Sequence, residues 1–264
     1  MIIDVHGHLG NINFAPFWQA DEKKLEDHLE RSGIDYLCVS SSRSIMYDVR
    51  EGNKELAEAL KRTKKLLGYV TVNPIFPESI DDLMLLEQPK FIGVKVHPDY
   101  HGYNLSSLMA QNFLDKVAEQ TDLMLFHVSC MPGTGFSDAG EVAKFASRHP
   151  DTKFVMAHMA GIFQNGLYPY FPNYQGMETV SKYACENIYV DTAHFLMYVY
   201  PGVMEKMIEL IGADHIVFGT DCPLQSYMQM KFAVDVINNL PISDLEKGKI
   251  FSGNAKKLIN KIVI

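Results

Sequence analysis

Cysteine is scarce in this sequence, and the four cysteines it has are scattered. Cys38, Cys130, Cys185 and Cys222 form no C-x-x-C pair among the 264 residues. This distribution gives no indication of a disulfide framework and is typical of proteins in a reducing compartment. We therefore expect a cytoplasmic protein that is stabilised by a hydrophobic core.

Long hydrophobic runs are also missing. No apolar stretch approaches the roughly 18 residues that a membrane-spanning helix needs. The chain enters the run Met1–His6 directly, which leaves no room for the charged and apolar regions of a signal peptide. We therefore expect no membrane association and no secretory leader.

Positive charge is low. The sequence has 24 Lys and Arg against 32 Asp and Glu, a formal net charge of −8, and its longest basic cluster is 61–65. A protein that follows nucleic-acid phosphates normally carries a basic patch. Because the 61–65 cluster lies on a predicted helix, we interpret it as a solvated helix face. We expect no nucleic-acid partner and a small molecule as substrate.

The sequence does contain a regular alternation of short apolar runs with stretches of helical character. The apolar runs are rich in β-branched residues and predict strands, and several of the intervening stretches carry apolar residues at helical spacing. The predicted strands are Ile2–His6, Ile34–Ser40, Leu66–Val72, Phe91–His97, Leu123–Val128, Phe154–His158, Ile188–Asp191 and Ile216–Thr220. The predicted helices include Glu22–Arg31, Asn53–Lys65, Leu105–Glu119, Ala139–Ser147, Gly176–Glu186, Pro201–Ile211 and Gln225–Asn239.

Eight alternating units with nearly continuous apolar strands predict a parallel sheet that helices cover on both sides. At this chain length the pattern favours an α/β protein with a (β/α)₈ TIM barrel, formed as a single domain over residues 1–264. A doubly wound sheet is the alternative fold. It is disfavoured because no G-x-G-x-x-G run follows the first predicted strand.

Polar residues that could carry chemistry lie where the predicted strands end. The first strand closes as Asp4-Val5-His6-Gly7-His8, and residues two apart in a strand face the same side, so His6 and His8 can reach one ion. An H-x-H pair alone is weak evidence for a metal site. The interpretation gains weight because metal-capable side chains follow three further strands at the same end, where barrel active sites form. These side chains are His127, His158 and Asp221.

Three histidines and one aspartate match the needs of a catalytic divalent metal. Such an ion takes neutral imidazoles and a carboxylate, and leaves one coordination position for water. It can lower the pKa of the bound water to about 7. A remaining histidine nearby could act as a proton shuttle, because its unperturbed pKa is about 6.5.

Four runs of the sequence resemble the amidohydrolase-related family, in the branch that includes aminocarboxymuconate-semialdehyde decarboxylase and related aromatic-acid decarboxylases. The resemblance spans the chain and keeps the runs in order. It implies one divalent metal, usually zinc and sometimes manganese or another ion, held by His6, His8, His127 and Asp221, with His158 as acid or base. The four runs are Asp4–His8, Gly93–Pro98, Phe218–Pro223 and Ile250–Leu258.

Members of this superfamily with two metals use a bridging carboxylated lysine or a glutamate at the end of strand four. This chain has Lys95 at that position. In the branch that this chain resembles, the lysine of a G-x-K-x-H-P run is usually unmodified and faces the substrate, which favours one metal. Lys95 would then hold a substrate carboxylate. A carbamylated Lys95 that bridges two metals, or a lysine paired with a carboxylate in the barrel, are the alternatives. His97 and His194 are further candidates for substrate contact.

Three other features carry expectations. Asp4 lies deeper than His6, so we expect it to hydrogen-bond a ligand histidine. Asp191 or His194 is expected at the rim, and His28 is expected at the surface or at a helix cap. The aromatic segment 160–175 is expected to cover the barrel rim or to act as a lid or a homodimer contact.

The predicted function is hydrolysis of a small polar or carboxylated substrate, such as an amide, lactone or ester. A metal-activated water would attack the carbonyl carbon, with Asp221 or His158 as the base. One alternative is a nonoxidative decarboxylase, in which the metal-bound water or His158 protonates the substrate carbon and CO₂ leaves. The other is a non-catalytic barrel that binds a ligand through its aromatic segment, which the intact ligand set argues against.

Overall fold

A computed structural model of the protein describes residues 1–11, 20–128, 136–161, 174–183, 186–197, 202–224 and 226–259. Within these ranges, eight strands alternate with helices and pair in chain order, every neighbouring pair being parallel. The strands are β1 Ile3–Leu9, β2 Tyr36–Ser41, β3 Leu66–Val72, β4 Phe91–Val96, β5 Leu123–Phe126, β6 Lys153–Met156, β7 Ile188–Asp191 and β8 Ile216–Val217.

The chain returns to β1 after β8, and this contact closes the sheet. The Val5 N–H donates to the Phe218 carbonyl at 2.9 Å, and Gly7 pairs with Cys222 in a parallel bridge. The fold is therefore a (β/α)₈ TIM barrel in a single domain, as the sequence predicts.

Several helices around the barrel begin at side-chain caps. Asp21, Asp48 and Asp138 each accept a hydrogen bond from the backbone N–H three residues later, which satisfies a donor that the helix start leaves unpaired. The α-helices are Glu22–Ser32, Ser42–Met46, Val49–Leu60, Pro98–His101, Leu108–Ala118, Ala139–Ala146, Tyr174–Tyr183, Val203–Ile211, Tyr227–Asn238, Asp244–Gly248 and Asn254–Leu258. Short 3₁₀ segments cover Pro77–Glu87, Phe195–Met197 and Ala213–His215, and Lys249–Gly253 is a π-helix.

The core has two apolar layers. The larger one lies between the strands and the surrounding helices, and the smaller one takes members from all eight strands and fills the barrel interior. Leu125 of β5 and Tyr189 of β7 belong to the interior layer. Two residues further along, on the same faces, come His127 and Asp191. The interior thus changes from apolar to polar at the carboxyl ends of the strands.

The sixth strand ends earlier than the sequence predicts. β6 stops at Met156, and His158, Met159 and Ala160 have φ values of 57°, 49° and 59°, followed by Gly161 at 73°. The predicted extension of this strand to His158 is wrong. The His158 N–H donates to a side-chain carboxylate rather than to a neighbouring strand, and each left-handed residue with a Cβ costs about 1–2 kcal/mol.

Two other expectations change. The helix Val49–Leu60 begins four residues before its predicted start and ends at Leu60. Its Asp48 cap explains the early start, and the basic cluster 61–65 therefore follows a helix rather than lying on one. The aromatic segment 160–175 lies mostly outside the described residues. In the part of the chain that is described, no helix combines the length and the apolar composition needed to cross a membrane.

Candidate metal centre

Three of the predicted ligands meet where β1 and β8 end. His8 Nε2 lies 2.9 Å from Asp221 Oδ1, and His6 Nε2 lies 3.5 Å from the same oxygen. One donor atom from each residue lies within 4.8 Å of the other two, and all three side chains are buried. Two imidazole nitrogens and a carboxylate oxygen suit zinc or manganese. The donor set of this β1–β8 group therefore fits a divalent ion.

The outer nitrogen of each imidazole has its own partner. His6 Nδ1 lies 2.8 Å from Asp191 Oδ2, and His8 Nδ1 lies 3.1 Å from Ser40 Oγ. A carboxylate can only accept, so a neutral His6 carries its proton on Nδ1 and keeps the lone pair on Nε2. Burial, and then the charge of Lys95, hold the pKa of His6 well below its usual value. The ring is therefore neutral, as a metal ligand must be.

Asp221 is held as a carboxylate. Burial alone would raise the pKa of Asp221, but the hydrogen bond from His8 and the two imidazoles beside the carboxylate hold it well below its usual value. Its φ of 64° is left-handed. The Asp221 N–H donates to the His6 carbonyl at 2.9 Å, which fixes the position of the carboxylate beside β1.

Lys95 lies beside the β1–β8 group, against His6. Its side chain is fully buried, and Nζ lies 3.0 Å from His6 Nε2. Burial lowers the pKa of Lys95 to about 8, although the charges of Asp221 and Asp191 oppose the shift. An ammonium group thus contacts the nitrogen that a metal would use. Contact with a substrate carboxylate stays a prediction.

His158 lies next to His6 but is held by other partners. The two ring centroids are 5.2 Å apart. His158 Nδ1 donates to the Ala193 carbonyl at 3.0 Å, so a neutral His158 presents the lone pair of Nε2 to His127 Nδ1, 3.2 Å away. Burial lowers the pKa of His158, with Asp221 and Asp191 opposing. The acid–base candidate is therefore paired with a second histidine.

His127 lies next to His158, with ring centroids 4.9 Å apart. Its Nδ1 donates to His158, which leaves its lone pair on Nε2, and this atom lies 3.9 Å from Asp99 Oδ2. Together His97, Asp99 and His127 form a β4–β5 group with one donor atom each within 4.8 Å. The structure thus brings His6, His8 and Asp221 together, and it places His127 in a separate group.

The remaining predicted substrate contacts lie around the mouth of the barrel. His97 stacks on His127 with ring centroids 3.9 Å apart and an angle of 14°. His194 Nδ1 lies 3.9 Å from Asp221 Oδ2, and its side chain is 30% exposed, so it lies at the rim. A cavity of about 70 Å³ opens between these groups. It is lined by His8, Ser42, Ile45, Met46, His97, Tyr100, His127, His158, Asp221 and Leu224.

Asp4 hydrogen-bonds His6 as expected, but through the backbone N–H and not through the imidazole. Asp4 Oδ1 accepts the backbone N–H groups of His6 and Thr220 at 3.0 and 3.1 Å, and Oδ2 accepts the Thr220 hydroxyl. Asp4 therefore ties β1 to the residue before Asp221 and contacts no imidazole. Asp191 is the residue that hydrogen-bonds the imidazole of His6. Sequence reasoning placed it only at the rim, although it lies two residues after an interior apolar residue of β7.

His28 also differs from its expected place. It is buried on the helix Glu22–Ser32, and its Nδ1 lies 3.9 Å from the sulfur of Cys222. Its pKa is lowered by burial. Burial raises the pKa of the Cys222 thiol well above its usual value, so the thiolate is disfavoured and Cys222 is a poor nucleophile.

Comparison with solved structures supports the fold over nearly the whole chain. A dihydroxybenzoic acid decarboxylase from a Polaromonas species, with bound manganese and an inhibitor, gives a TM-score of 0.72 at 18% identity, covering 98% of this chain and 96% of that one. A 5-carboxyvanillate decarboxylase from Novosphingobium aromaticivorans, also with manganese, gives 0.73 at 15%, covering 98% and 96%. An amidohydrolase from Burkholderia multivorans gives 0.73 at 12%, covering 98% and 99%.

Sequence comparisons give a complementary result. No curated protein matches the chain. Residues 49–261 match a family model described as Amidohydrolase, which covers most of the chain. With the barrel and the clustered β1–β8 ligands, this match leads to one conclusion: the chain belongs to the amidohydrolase family.

Proposed function

We propose that this protein is a metal-dependent nonoxidative decarboxylase of a small carboxylic acid. The observation that carries the proposal is the convergence of His6, His8 and Asp221 beside the histidine pair His158 and His127. A candidate ligand set and a candidate proton-transferring group thus lie next to each other. Two solved structures of similar fold, named as decarboxylases and containing manganese, support this reaction over the hydrolysis that the sequence predicts.

One divalent ion would be held by His6 Nε2, His8 Nε2 and Asp221 Oδ1. His127 is the candidate for a fourth ligand because its Nε2 keeps a lone pair. When bound, the ion supplies positive charge that stabilises oxygen anions of the substrate. The mixture of imidazole and carboxylate donors accepts Mn²⁺ or Zn²⁺, and manganese in the two decarboxylases supports testing Mn²⁺ first.

The protein must supply one proton for this reaction. Decarboxylation breaks the bond between a carbon atom and its carboxylate, releases CO₂, and leaves an electron pair that takes up a proton on the same carbon. In the proposed mechanism His158 carries this proton on Nε2. Water at the barrel mouth restores the proton after each transfer, and His127, whose Nδ1 lies 3.2 Å from that nitrogen, holds the His158 ring in place. Ala193 holds the other nitrogen of His158 in its protonated form.

We propose a small hydroxylated aromatic acid as the substrate class. The two decarboxylases above are named for substrates of this kind, in which a ring hydroxyl donates electron density to the carbon that must accept the proton. A cavity of about 70 Å³ accommodates a carboxylate-sized group near the donors. The aromatic ring would lie toward the mouth, near Tyr100 and His97.

Hydrolysis by the same site is the second candidate, and the family model's description favours it. It needs a base that takes a proton from water. Asp221 is a weak choice because its Oδ1 is already shared between His8 and His6, which leaves the role to His158. The two reactions share their ligands and differ in products.

The products separate the two candidates. Metal-loaded protein is incubated with dihydroxybenzoates and carboxyvanillate carrying ¹³C in the carboxylate, and separately with lactones and amides, in H₂¹⁸O or D₂O. Decarboxylation is expected to release ¹³CO₂ and to place deuterium on the carbon that lost it. Incorporation of ¹⁸O without CO₂ would instead establish a hydrolase. A His8→Ala variant serves as the metal-deficient control.

Metal analysis tests the non-catalytic alternative. If purified protein takes up no stoichiometric divalent ion, and His6→Ala leaves ligand binding unchanged, the protein is a binding barrel and not an enzyme.

We further propose that the substrate is a free small molecule of the cytoplasm. The described cysteines, Cys38 and Cys222, are unpaired and buried, which agrees with a reducing compartment. A homodimer stays a prediction.

A further inference from the structure

Asp191, the last residue of β7, lies between two histidines of the candidate site. It is fully buried, and its oxygens accept three hydrogen bonds. Oδ2 accepts from His6 Nδ1 at 2.8 Å. Oδ1 accepts from the backbone N–H groups of His158 at 2.8 Å and Ala193 at 3.0 Å. The proposed mechanism assigns no task to this residue.

The hydrogen bond to His6 decides which of its nitrogens can bind a metal. A carboxylate does not donate, so the proton lies on Nδ1 and the lone pair on Nε2. Nε2 is the atom that lies 3.5 Å from Asp221 Oδ1. In the opposite tautomer an N–H bond would point toward Asp221, and His6 could not ligate.

The other oxygen of Asp191 holds the backbone that carries His158. His158, Met159 and Ala160 are left-handed, a conformation that residues with a Cβ rarely adopt and that persists only where the surroundings enforce it. Oδ1 takes the first N–H of this turn. It also takes the N–H of Ala193, whose carbonyl accepts from His158 Nδ1.

We propose that Asp191 is a positioning residue that couples the metal-binding tautomer of His6 to the orientation of His158. One carboxylate then fixes both the nitrogen with which His6 can bind a metal and the orientation of His158. The roles of the two histidines rest on the proposed function, but the hydrogen bonds do not depend on which reaction the site performs. Second partners of this kind orient ligand histidines in metal sites generally.

Asp191→Asn tests the coupling with little change in shape. Two backbone N–H groups need an acceptor, so the amide oxygen turns toward His158 and Ala193, and the NH₂ group faces His6 Nδ1. That donor forces the His6 proton onto Nε2. Asp4→Asn is the matched control, because Asp4 is equally buried and accepts backbone N–H groups but contacts no imidazole.

The tautomer is read by ¹⁵N NMR of metal-free protein labelled in histidine, with His6 assigned from His6→Gln. Wild type and Asp4→Asn are expected to be protonated on His6 Nδ1, and Asp191→Asn on Nε2. Affinity for Mn²⁺, measured by chelator competition, is expected to fall about 10–100-fold in Asp191→Asn and less than about threefold in Asp4→Asn. In Asp191→Ala the His158 amide is expected to exchange faster with solvent.

A wild-type His6 protonated on Nε2 would overturn the proposal, and that measurement requires no variant to fold. Unchanged Mn²⁺ affinity in Asp191→Asn would overturn it too, as would equal losses in the two Asn variants, since any buried carboxylate would then have the same effect. Failure of the decarboxylase assignment is a separate result, because neither the tautomer nor the Mn²⁺ affinity depends on the product formed.

Discussion

Two groups of side chains at the mouth of the barrel have the same composition and different hydrogen bonding. Each brings two imidazoles and one carboxylate within 4.8 Å. In the β1–β8 group, both outer nitrogens bond oxygen atoms, of Asp191 and Ser40, which leaves the inner nitrogens facing Asp221. In the β4–β5 group, the neighbours of the imidazoles are largely other imidazoles and a backbone N–H.

The second arrangement suits a metal poorly. His97 Nδ1 accepts from the Tyr100 N–H at 3.4 Å, so a neutral His97 carries its proton on Nε2. Its ring is nearly parallel to that of His127, and lone pairs in two parallel ring planes do not converge on one point. The comparison indicates that the partners of the outer nitrogens, more than the number of histidines, decide which group can ligate an ion.

The largest expected effect comes from removing a carboxylate from each group. Asp221→Asn should lower the affinity for Mn²⁺ by more than about 100-fold, because the loss of a ligand exceeds the 10–100-fold effect of losing a ligand's partner. Asp99→Asn should leave that affinity almost unchanged. Calorimetric titration of the two metal-free variants checks this, and a larger loss in Asp99→Asn would reverse the comparison.

Acid should destabilise the protein through the histidines near the β4–β5 group. Burial lowers the pKa of His101 to about 4, so its neutral form is favoured on folding. Its contribution to stability is complete above pH 6.5 and is lost as the pH falls through about 4. His101→Gln keeps a donor for the Ser44 carbonyl. Between pH 7 and pH 4 its free energy of unfolding should therefore fall by about 3 kcal/mol less than that of wild type.

Urea unfolding of the metal-free protein at several pH values measures this difference. The Asp4 carboxyl contributes in the opposite direction, since burial raises its pKa to about 7. Because Asp4 is present in both proteins, its contribution cancels. Parallel stability profiles for wild type and His101→Gln would contradict the prediction.

Lys95→Met should strengthen metal binding by about tenfold, roughly 1.4 kcal/mol. The Lys95 ammonium contacts His6 Nε2, so a metal ion must displace a positive charge from the β1–β8 group. Removing that charge favours the ion, whereas the conservative Lys95→Arg should not. Chelator competition at pH 7 measures both variants, and weaker binding in Lys95→Met would show that this lysine assists the ion.

Ser40→Ala should have the smallest effect, a loss of Mn²⁺ affinity of a few-fold, below the range of about 10–100 for carboxylate partners. A hydroxyl orients His8 less strongly than a carboxylate, because it can donate or accept. Ser42→Ala, which changes a neighbouring serine bonded to the Gly10 carbonyl, is the matched control. A loss as large as that of Asp191→Asn would mean that the two partners contribute equally.

The barrel and the convergence of His6, His8 and Asp221 could be predicted because they follow from local patterns. Apolar runs defined all eight strands, and alternation placed His6 and His8 on one face. The same rule did not show that Asp4 contacts the His6 backbone and not its ring, and the pairing of β1 with β2 shifts register between Asp4 and Gly7. Across that shift, two residues that are two positions apart, such as Asp4 and His6, need not have the same side-chain contacts.

Contacts across the barrel could not be predicted in this way. Asp191 and His6 are 185 residues apart, and nothing local to either residue indicates that they share a proton. The left-handed turn at His158 was also missed, because only its last residue, Gly161, is the type that favours this conformation. Both features depend on which strands become neighbours when the barrel closes.

The Asp4 contact with Thr220 has a consequence for synthesis of the chain. It joins the first strand to the residue just before Asp221, so the two halves of the donor set come from opposite ends of the polypeptide. During translation His6 and His8 are made first, and more than 200 residues are added before Asp221 follows. A metal site built from these residues could form only after β8 has been synthesised and has paired with β1, and ion uptake would then report closure of the barrel.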